Sequence, residues 1–310
     1  MQAVILDADT LGSDIDLTPI RDVVTELRVF GNTSAQQLQH HLADADLILT
    51  NKVVIPASAI RGRKGILVLA TGTNNIDMAA AAELGVPVRN VVNYGTASVA
   101  QHTLMLMLAL AARLPLYQQD LRQGAWQQSP FFCLLNHTTT ELAGKTLVIV
   151  GSGTLGSAVA RLAEAFGMTV TFTARPGAEQ DPRPSFAELI GEADVLSFHC
   201  PLTEHSRHLL NHHTLAMIKP GCLVVNCARG GIIDEQAALA ALQDGRLGGL
   251  AVDVLPEEPP RDGHALLSAL QDGGLNLLVT PHNAWITPQA RQRIVQLTAD
   301  NILSLAADAV

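Results

Sequence analysis

Three segments of the chain end apolar, strand-like runs with polar residues, at the edge of an open α/β sheet where ligand sites form. They are residues 224–231, 251–259 and 279–285. Together they offer one fixed cation, Arg229, one carboxylate, Glu258, and one titratable imidazole, His282. Arginine can hold a carboxylate bidentately and polarise the adjacent ketone, and histidine can deliver a proton to a developing alkoxide. A carboxylate beside the imidazole favours its charged form. This set of residues suits the reduction of a 2-keto acid.

Each of these residues also has an ordinary structural interpretation. Arg229 would then be a solvated loop cation, Glu258 a surface acid before a proline, and His282 a hydrogen-bonded histidine at a strand end. Residue type alone leaves these alternatives open.

The clearest motif lies near the middle of the chain, where the apolar run TLVIV is followed by GSGTLG at residues 151–156. A strand, the pattern G-x-G-x-x-G and a helix in succession are typical of a dinucleotide-binding turn. Gly151 allows the tight turn, Gly153 lets the backbone approach a pyrophosphate, and Gly156 lets the helix lie close to the strand. Thr154 and Leu155 open that helix, whose N–H groups would bind the phosphates. The alternative is a structural tight turn without a ligand.

The next predicted strand ends in TFTARPG at residues 171–177. NAD-preferring sites usually place an acidic residue here, where it binds the ribose diol. Ala174 stands at that position, and Arg175 follows it. The loss of the carboxylate and the gain of a cation favour NADP(H), with NAD(H) as the alternative if Arg175 is only an exposed loop residue. No metal site is predicted.

Composition limits the classes of partner. The 310 residues carry a net charge of −9, with 48% hydrophobic and 16% charged residues, which argues against disorder and against nucleic acid or an anionic membrane as partner. The four cysteines have no C-x-x-C spacing and indicate thiols in a reducing compartment. Asp7 and Asp9 interrupt the first apolar run, so we expect no signal peptide and a cytoplasmic protein.

Short apolar strands alternate with helical patterns throughout, which predicts an α/β protein with two doubly wound parallel-sheet domains. Four strands are expected in the first third of the chain. Six more are expected after it, and the first of these six leads into the glycine motif. The dinucleotide-binding (Rossmann-type) domain is predicted at residues 97–287, inserted in a flavodoxin-like substrate domain of residues 1–96 and 288–310. One long helix, 97–116, would carry the chain across, and Thr287-Pro288 would start the final helix. Two crossings predict hinges with a cleft between the domains.

Taken together and in this order, the motifs resemble the D-isomer-specific 2-hydroxyacid dehydrogenase family over essentially the whole chain. Arg229 lies in an N-x-A-R-G-G segment, Glu258 precedes a proline after D-V, and His282 follows T-P, as in that family. The resemblance implies catalytic roles for these three residues and a small anionic 2-keto or 2-hydroxy acid as substrate. It also implies a homodimer, for which the apolar helix and residues 133–140 are the candidate surfaces.

The resemblance also implies binding residues. The segment LVLATGTNNID is similar to the family's loop whose backbone amides hold the substrate carboxylate, through Ala70, Thr71, Gly72 and Thr73. Cofactor contacts are implied for Ser98, Val99, His199, Cys200, Pro201, Thr203, Cys227, Ala228 and Asp253, the last for the nicotinamide carboxamide.

Three shorter segments, 49–52, 124–130 and 282–285, look like the glycerate dehydrogenase/hydroxypyruvate reductase branch, which implies reduction of hydroxypyruvate or glyoxylate to D-glycerate or glycolate. Lys52 would add positive charge near the substrate and Trp285 would shape the pocket; a solvated lysine and an aromatic strut are the alternatives. A dehydrogenase for D-lactate or phosphoglycerate would differ only in substrate. A nucleotide-sensing, corepressor-like binding protein is the alternative from another class.

Overall fold

The computed structural model describes residues 1–308, which form two compact units. The first unit contains Met1–Gly95 and the chain from Trp285 onward, and the second contains Thr96–Ala284.

The first unit is built on a five-stranded parallel sheet with the order β2-β1-β3-β4-β5, the order of flavodoxin-like folds. Its strands are β1 Gln2–Ile5, β2 Glu26–Val29, β3 Leu47–Thr50, β4 Gly65–Val68 and β5 Val88–Asn90. The four expected strands are confirmed. β2 was not expected, because its residues ELRV at the sheet edge are polar or half-exposed and lack an apolar run.

Short helices connect these strands: α1 Thr18–Arg21, α2 Leu38–His41, α3 Ala57–Ile60 and α4 Met78–Glu83, with a 3₁₀ turn at Ala8–Leu11. Buried aliphatic side chains fill both faces of the sheet, as a parallel sheet requires.

The second unit contains a six-stranded parallel sheet with the order β11-β10-β9-β8-β6-β7. Its strands are β6 Thr146–Val150, β7 Thr169–Phe172, β8 Val195–Phe198, β9 Cys222–Asn226, β10 Leu247–Val252 and β11 Leu277–Val279. All six expected strands are confirmed. The strand order reverses between β6 and β8, so the carboxyl ends of these two strands form the switch point at which α/β sheets bind ligands.

Seven helices belong to the second unit: α5 Thr96–Ala111, α6 Leu114–Arg122, α7 Thr154–Ala165, α8 Phe186–Leu189, α9 His212–Leu215, α10 Glu235–Gln243 and α11 Ala265–Asp272. The expected single helix 97–116 is wrong. Arg113 adopts a left-handed conformation with φ of +54°, which ends the first helix, and Pro115 sits in the first turn of the next.

The final helix, α12 Pro288–Asp308, returns to the first unit. The Thr287 hydroxyl accepts the Ala290 N–H at 3.3 Å, so the expected N-cap and N1 proline are confirmed. Ile294, Val295 and Ile302 are buried in the core that lines one face of the first sheet.

Within residues 1–308, no individual helix has the length and apolar composition needed to cross a membrane. Taken together, α5 and α6 have that length and composition, but they form a bent pair. The same residues contain no group of three His, Cys, Asp or Glu side chains placed to hold a metal ion.

Candidate functional site

Glu258 and His282 meet at the carboxyl end of the second sheet. The Oε2 atom of Glu258 lies 2.6 Å from Nδ1 of His282, and both side chains are about one-third exposed. The other carboxylate oxygen, Oε1, accepts the Leu255 N–H at 2.8 Å, which fixes the carboxylate. The imidazole is thus oriented through one of its two nitrogens.

The backbone at His282 is held in an unusual conformation. Its φ is +52°, in the left-handed region that non-glycine residues seldom adopt. The His282 N–H donates to the Asp253 carbonyl oxygen at 2.7 Å, and the Asp253 carboxylate accepts the N–H groups of Asn283 and Ala284 at 3.0 and 3.1 Å. Buried Asp253 therefore shapes the turn that presents the imidazole.

Two residues that the sequence analysis did not single out extend this network. The Thr280 hydroxyl donates to Asp253 Oδ1 at 2.5 Å and lies 3.0 Å from Nε2 of His102. Burial lowers the pKa of His102, although the nearby Asp253 carboxylate opposes that shift. The described residues use three of the four acceptor positions of Asp253, which leaves one Oδ2 position for the N–H of a bound carboxamide.

Arg229 lies in a turn that buried Asn226 fixes. The Asn226 side chain accepts the Ala228 N–H at 3.0 Å and donates to the Arg229 carbonyl oxygen at 2.9 Å. Arg229 is exposed, and its Nη1 donates to the Ala228 carbonyl oxygen at 2.7 Å. A Cβ at Gly230 would lie 2.1 Å from the Leu255 carbonyl carbon, so this turn packs against the loop that carries Glu258. The close approach requires glycine.

The glycine turn after β6 has the shape that a dinucleotide needs. Gly151 has φ of +112°, and a Cβ there would collide with the His199 backbone. A Cβ at Gly156 would lie 1.9 Å from the Gly151 carbonyl oxygen. Gly153 faces open space and is the N-cap of α7, which has no side-chain cap, so Thr154 and Leu155 in the first helical turn present their N–H groups outward. The residues present fit a bound pyrophosphate.

The loop after β7 contains a charged cluster that only the structure reveals. The Ala174 N–H donates to the Pro184 carbonyl oxygen at 2.6 Å, which closes a loop and brings Arg175 and Arg183 to its neck. Asp181 accepts the Arg175 N–H at 2.9 Å and a pair of hydrogen bonds from the Arg183 guanidinium at 2.8 and 2.5 Å.

His199 and Cys200 follow β8 at the switch point. Nε2 of His199 lies 2.8 Å from the Ser197 hydroxyl, whereas Nδ1 is buried with no partner among residues 1–308. Burial lowers the pKa of His199 to about 4 and raises that of the Cys200 thiol to about 11, so both stay neutral. Pro201 and Thr203 are exposed in the loop that follows.

The remaining residues to which cofactor contacts were assigned are largely buried. The Ser98 hydroxyl donates to the Ala284 carbonyl oxygen at 2.6 Å, and Val99 packs against the core of the unit. Cys227 and Ala228 are buried at the end of β9, where burial raises the pKa of Cys227 to about 12. For Ser98 the structure therefore shows a hydroxyl already used within the protein.

Known proteins are similar to this chain in sequence and in fold. Residues 104–284 match the model of the D-isomer specific 2-hydroxyacid dehydrogenase NAD binding domain. The chain is 36% identical to the glycerate dehydrogenase of Methylorubrum extorquens, over 88% of this chain and 86% of that protein. It is 32% identical to the hydroxypyruvate reductase of Blautia hydrogenotrophica, over 97% and 96%. The chain belongs to the D-isomer specific 2-hydroxyacid dehydrogenase family.

A solved structure shares this fold. The TT0316 protein from Thermus thermophilus superposes with a TM-score of 0.82 at 31% identity, covering 99% of this chain and 97% of that one. As a member of the family, the protein is an oxidoreductase that uses a nicotinamide cofactor and a small 2-hydroxy or 2-keto acid.

The loop after β4 carries the residues for which the sequence predicts carboxylate binding. Ala70 is buried, and the hydroxyl and carbonyl oxygen of Thr71 bond Val91 and Asn90. No acceptor among residues 1–308 is found for the N–H groups of Thr71, Gly72 and Thr73. Three available N–H donors in a braced loop are suited to an anion.

Lys52 and Trp285 also lie in the first unit of this dehydrogenase. Buried Asp7 accepts the N–H groups of Asn51, Lys52 and Val53 at 2.6 to 3.1 Å, and so fixes the loop that carries Lys52. Trp285 packs edge-on against Tyr94, with ring centroids 6.2 Å apart.

Proposed function

We propose that this dehydrogenase reduces hydroxypyruvate or glyoxylate to D-glycerate or glycolate with NADPH. The observation that carries the proposed chemistry is the 2.6 Å contact between Glu258 and His282. It provides an oriented proton donor beside an arginine turn in the same unit. The names of two relatives, a glycerate dehydrogenase and a hydroxypyruvate reductase, support the choice of substrate.

The charged and titratable residues have separate roles in the proposed reaction. Arg229 binds the substrate carboxylate bidentately and polarises the ketone. His282, with Nδ1 directed at Glu258, donates from Nε2 the proton that the new hydroxyl group requires. The bound reduced nicotinamide supplies the hydride. In the first unit, the available N–H groups of residues 71–73 would bind a carboxylate. Lys52 would add positive charge near that carboxylate.

Most of the residues that would hold the cofactor follow the carboxyl ends of strands β6 to β10, whereas Ser98 and Val99 lie in the first turn of α5. The glycine turn would receive the pyrophosphate, and Asp253 has one acceptor position for the carboxamide. Residues Ser98, Val99, His199, Cys200, Pro201, Thr203, Cys227 and Ala228 are retained as lining of that site. After β7, Ala174 stands where NAD-preferring sites usually have a carboxylate, and Arg175 follows it. These two residues therefore favour a phosphorylated ribose.

The experiment that tests this function is initial-rate oxidation of NADPH and NADH with hydroxypyruvate, glyoxylate and pyruvate, followed by absorbance. We expect the highest kcat/KM with hydroxypyruvate and NADPH. His282→Ala should lower kcat of reduction by about 100-fold or more, since general acid catalysis contributes that much. A clear preference for NADH would refute the cofactor assignment. An absence of turnover with every substrate, despite cofactor binding, would instead indicate a binding protein.

We also propose that two copies associate through the segment that follows α6. The side chains there include Phe131, Phe132 and Leu135, which are 70%, 90% and 85% exposed. A second subunit packed on this segment would bury these apolar side chains. Light scattering should give twice the 32.9 kDa mass of the chain, and Phe132→Ser should lower it, whereas Val54→Ser, also exposed, should not. A monomer at micromolar concentration would refute the proposal.

The thiols support a reducing, cytoplasmic location. All four cysteines are free, and Cys200, Cys222 and Cys227 are buried. We expect a thiol reagent to label Cys133 alone in the native protein. Rapid labelling of the buried cysteines would contradict their placement.

A further inference from the structure

We propose that Arg183, clamped by Asp181 against the glycine turn, is a specificity-determining residue that binds the 2′-phosphate of NADPH together with Arg175. This inference rests on the proposed preference for NADPH and identifies the residues that create it. The sequence pattern after β7 points to Arg175 alone, and Arg183 lies eight residues further along the chain.

The loop geometry places Arg183 at the cofactor site. Its Nη1 atom donates to the hydroxyl of Ser152, the second residue of the GSGTLG turn. The hydrogen bond from Ala174 to Pro184 closes the loop so that Arg175 and Arg183 flank the same neck. A cation in contact with the glycine turn, at the end of β7, stands where the adenosine ribose binds in dinucleotide-binding folds.

Asp181 is the one carboxylate in this cluster, and its acceptor positions are already filled. Oδ1 accepts the N–H and Nε–H of Arg183 at 3.1 and 2.8 Å, and Oδ2 accepts the Arg175 N–H and Arg183 Nη2 at 2.9 and 2.5 Å. A carboxylate has about four acceptor sites, so none is left for a ribose diol. Asp181 therefore cannot replace the ribose-binding acid that is absent at Ala174.

The arginines, by contrast, keep donors available. Arg183 uses three of its five N–H groups on Asp181 and Ser152, and the remaining two lie on Nη1 and Nη2. No side-chain partner of Arg175 is found within residues 1–308. The two guanidinium groups and Asp181 sum to one positive charge, and no contact of the exposed Glu179 in the same loop with these three groups is found within residues 1–308. The cluster thus presents donors and net positive charge, which fit a phosphate group rather than two hydroxyl groups.

The clamp also limits the mobility of Arg183. A bidentate carboxylate holds the guanidinium plane, and the contact raises the pKa of Arg183 while it lowers that of Asp181. The Gly177 backbone, at φ of +79°, lies against the His205 side chain, which joins this loop to the one after β8. A preorganised arginine binds a phosphate with less loss of side-chain entropy than a free one.

The test compares the binding of 2′,5′-ADP with that of 5′-AMP by isothermal titration calorimetry, since only the first carries a 2′-phosphate. We expect the unchanged protein to bind 2′,5′-ADP more tightly. Arg183→Ala should weaken 2′,5′-ADP binding by about tenfold or more and leave 5′-AMP binding unchanged. Arg161→Ala, an exposed arginine on α7 of the same unit, is the charge-matched control.

Asp181→Asn separates positioning from simple charge. Loss of an anion beside a phosphate would strengthen binding by charge alone, whereas loss of the clamp should weaken 2′,5′-ADP binding. We expect the weakening. Unchanged or tighter binding would overturn the role of Asp181.

Other outcomes separate the two proposals. If the unchanged protein prefers 2′,5′-ADP but Arg183→Ala does not alter that preference, the Arg183 assignment fails while the NADPH preference stands. An equal loss of 5′-AMP binding in Arg183→Ala would also overturn it, because the effect would not involve the 2′-phosphate. If the unchanged protein shows no preference and uses NADH faster, both proposals fail.

Discussion

Glu258 contacts two groups at once: its Oε2 lies 2.6 Å from Nδ1 of His282, and its Oε1 accepts the Leu255 N–H. The same carboxylate therefore orients the imidazole and is itself held by the loop in which it lies. Because Arg229's neighbour Gly230 packs on Leu255, the arginine turn and the carboxylate loop share one support.

Glu258→Gln should preserve the bond from Leu255 and replace the charged acceptor of His282 Nδ1 with a neutral amide, which holds the imidazole less firmly. We expect kcat for reduction to fall by about tenfold or more, because the proton donor is then less well positioned. The measurement is kcat and KM for reduction at one fixed pH. Glu257→Gln, at the adjacent exposed position, is the control, and equal rates in both variants would contradict the role of Glu258.

Arg229→Lys tests whether geometry or charge matters at the arginine turn. A lysine keeps the positive charge but cannot form a bidentate fork, so we expect kcat/KM to fall by about 100-fold. Arg161→Lys in the same unit should have no effect on steady-state rates. Full activity of Arg229→Lys would leave Arg229 as a solvated loop cation.

Asp7→Ala tests the loop that carries Lys52. The substitution removes the carboxylate that accepts the N–H groups of Asn51 and Lys52, whereas the Val53 N–H keeps the Thr50 hydroxyl as acceptor; a buried unsatisfied donor costs about 1–3 kcal/mol. We expect the free energy of unfolding in urea to fall by about 3 kcal/mol. Asp22→Ala, at an exposed position, should change it by less than about 0.5 kcal/mol. Equal effects of the two substitutions would contradict this account.

Glu235 gives a pH dependence of stability. Its Oε2 lies 2.6 Å from Nε2 of His264, its Oε1 has no partner among residues 1–308, and burial, aided by Asp234 and Glu258, raises its pKa to about 8 from 4.5. Between these pH values the folded protein keeps a proton that the unfolded chain has lost. Stability should therefore fall as pH rises from 4.5 to 8, by up to about 1.4 kcal/mol per pH unit.

Glu235→Gln should remove this slope. Urea unfolding at pH 5 and pH 8 measures it, with Glu192→Gln at an exposed position as the control. If Glu235→Gln changes the free energy of unfolding by the same amount at pH 5 and at pH 8, Glu235 does not titrate in this range.

Most strands could be predicted because buried parallel strands are continuous apolar runs, as in residues 146–150. β2 could not, since an edge strand with half-exposed residues has no such pattern. The break at Arg113 also left no signal, because arginine has no particular preference for the left-handed conformation found there.

Site residues that lie in local sequence motifs could be predicted. Those brought together by the closing of a loop were missed. Arg229, Glu258 and His282 each lie in the loop that follows a strand, so sequence order located them. The clamp of Asp181 on Arg183 depends on a hydrogen bond between Ala174 and Pro184, ten residues apart, that no periodicity indicates. Asp7 suggested only an interrupted apolar run, and its role as acceptor for three N–H groups follows from the pairing of β1 with β3.

The return of α12 to the first unit has a consequence for the order in which the chain can fold. Residues Ile294, Val295 and Ile302 complete one face of a core that begins with residues of β1. During synthesis, that face of the core in residues 1–95 therefore stays uncovered until α12 has been made. The inserted unit has all of its strands by Val279. We therefore expect it to mature first on the ribosome, while the unit that begins the chain finishes last.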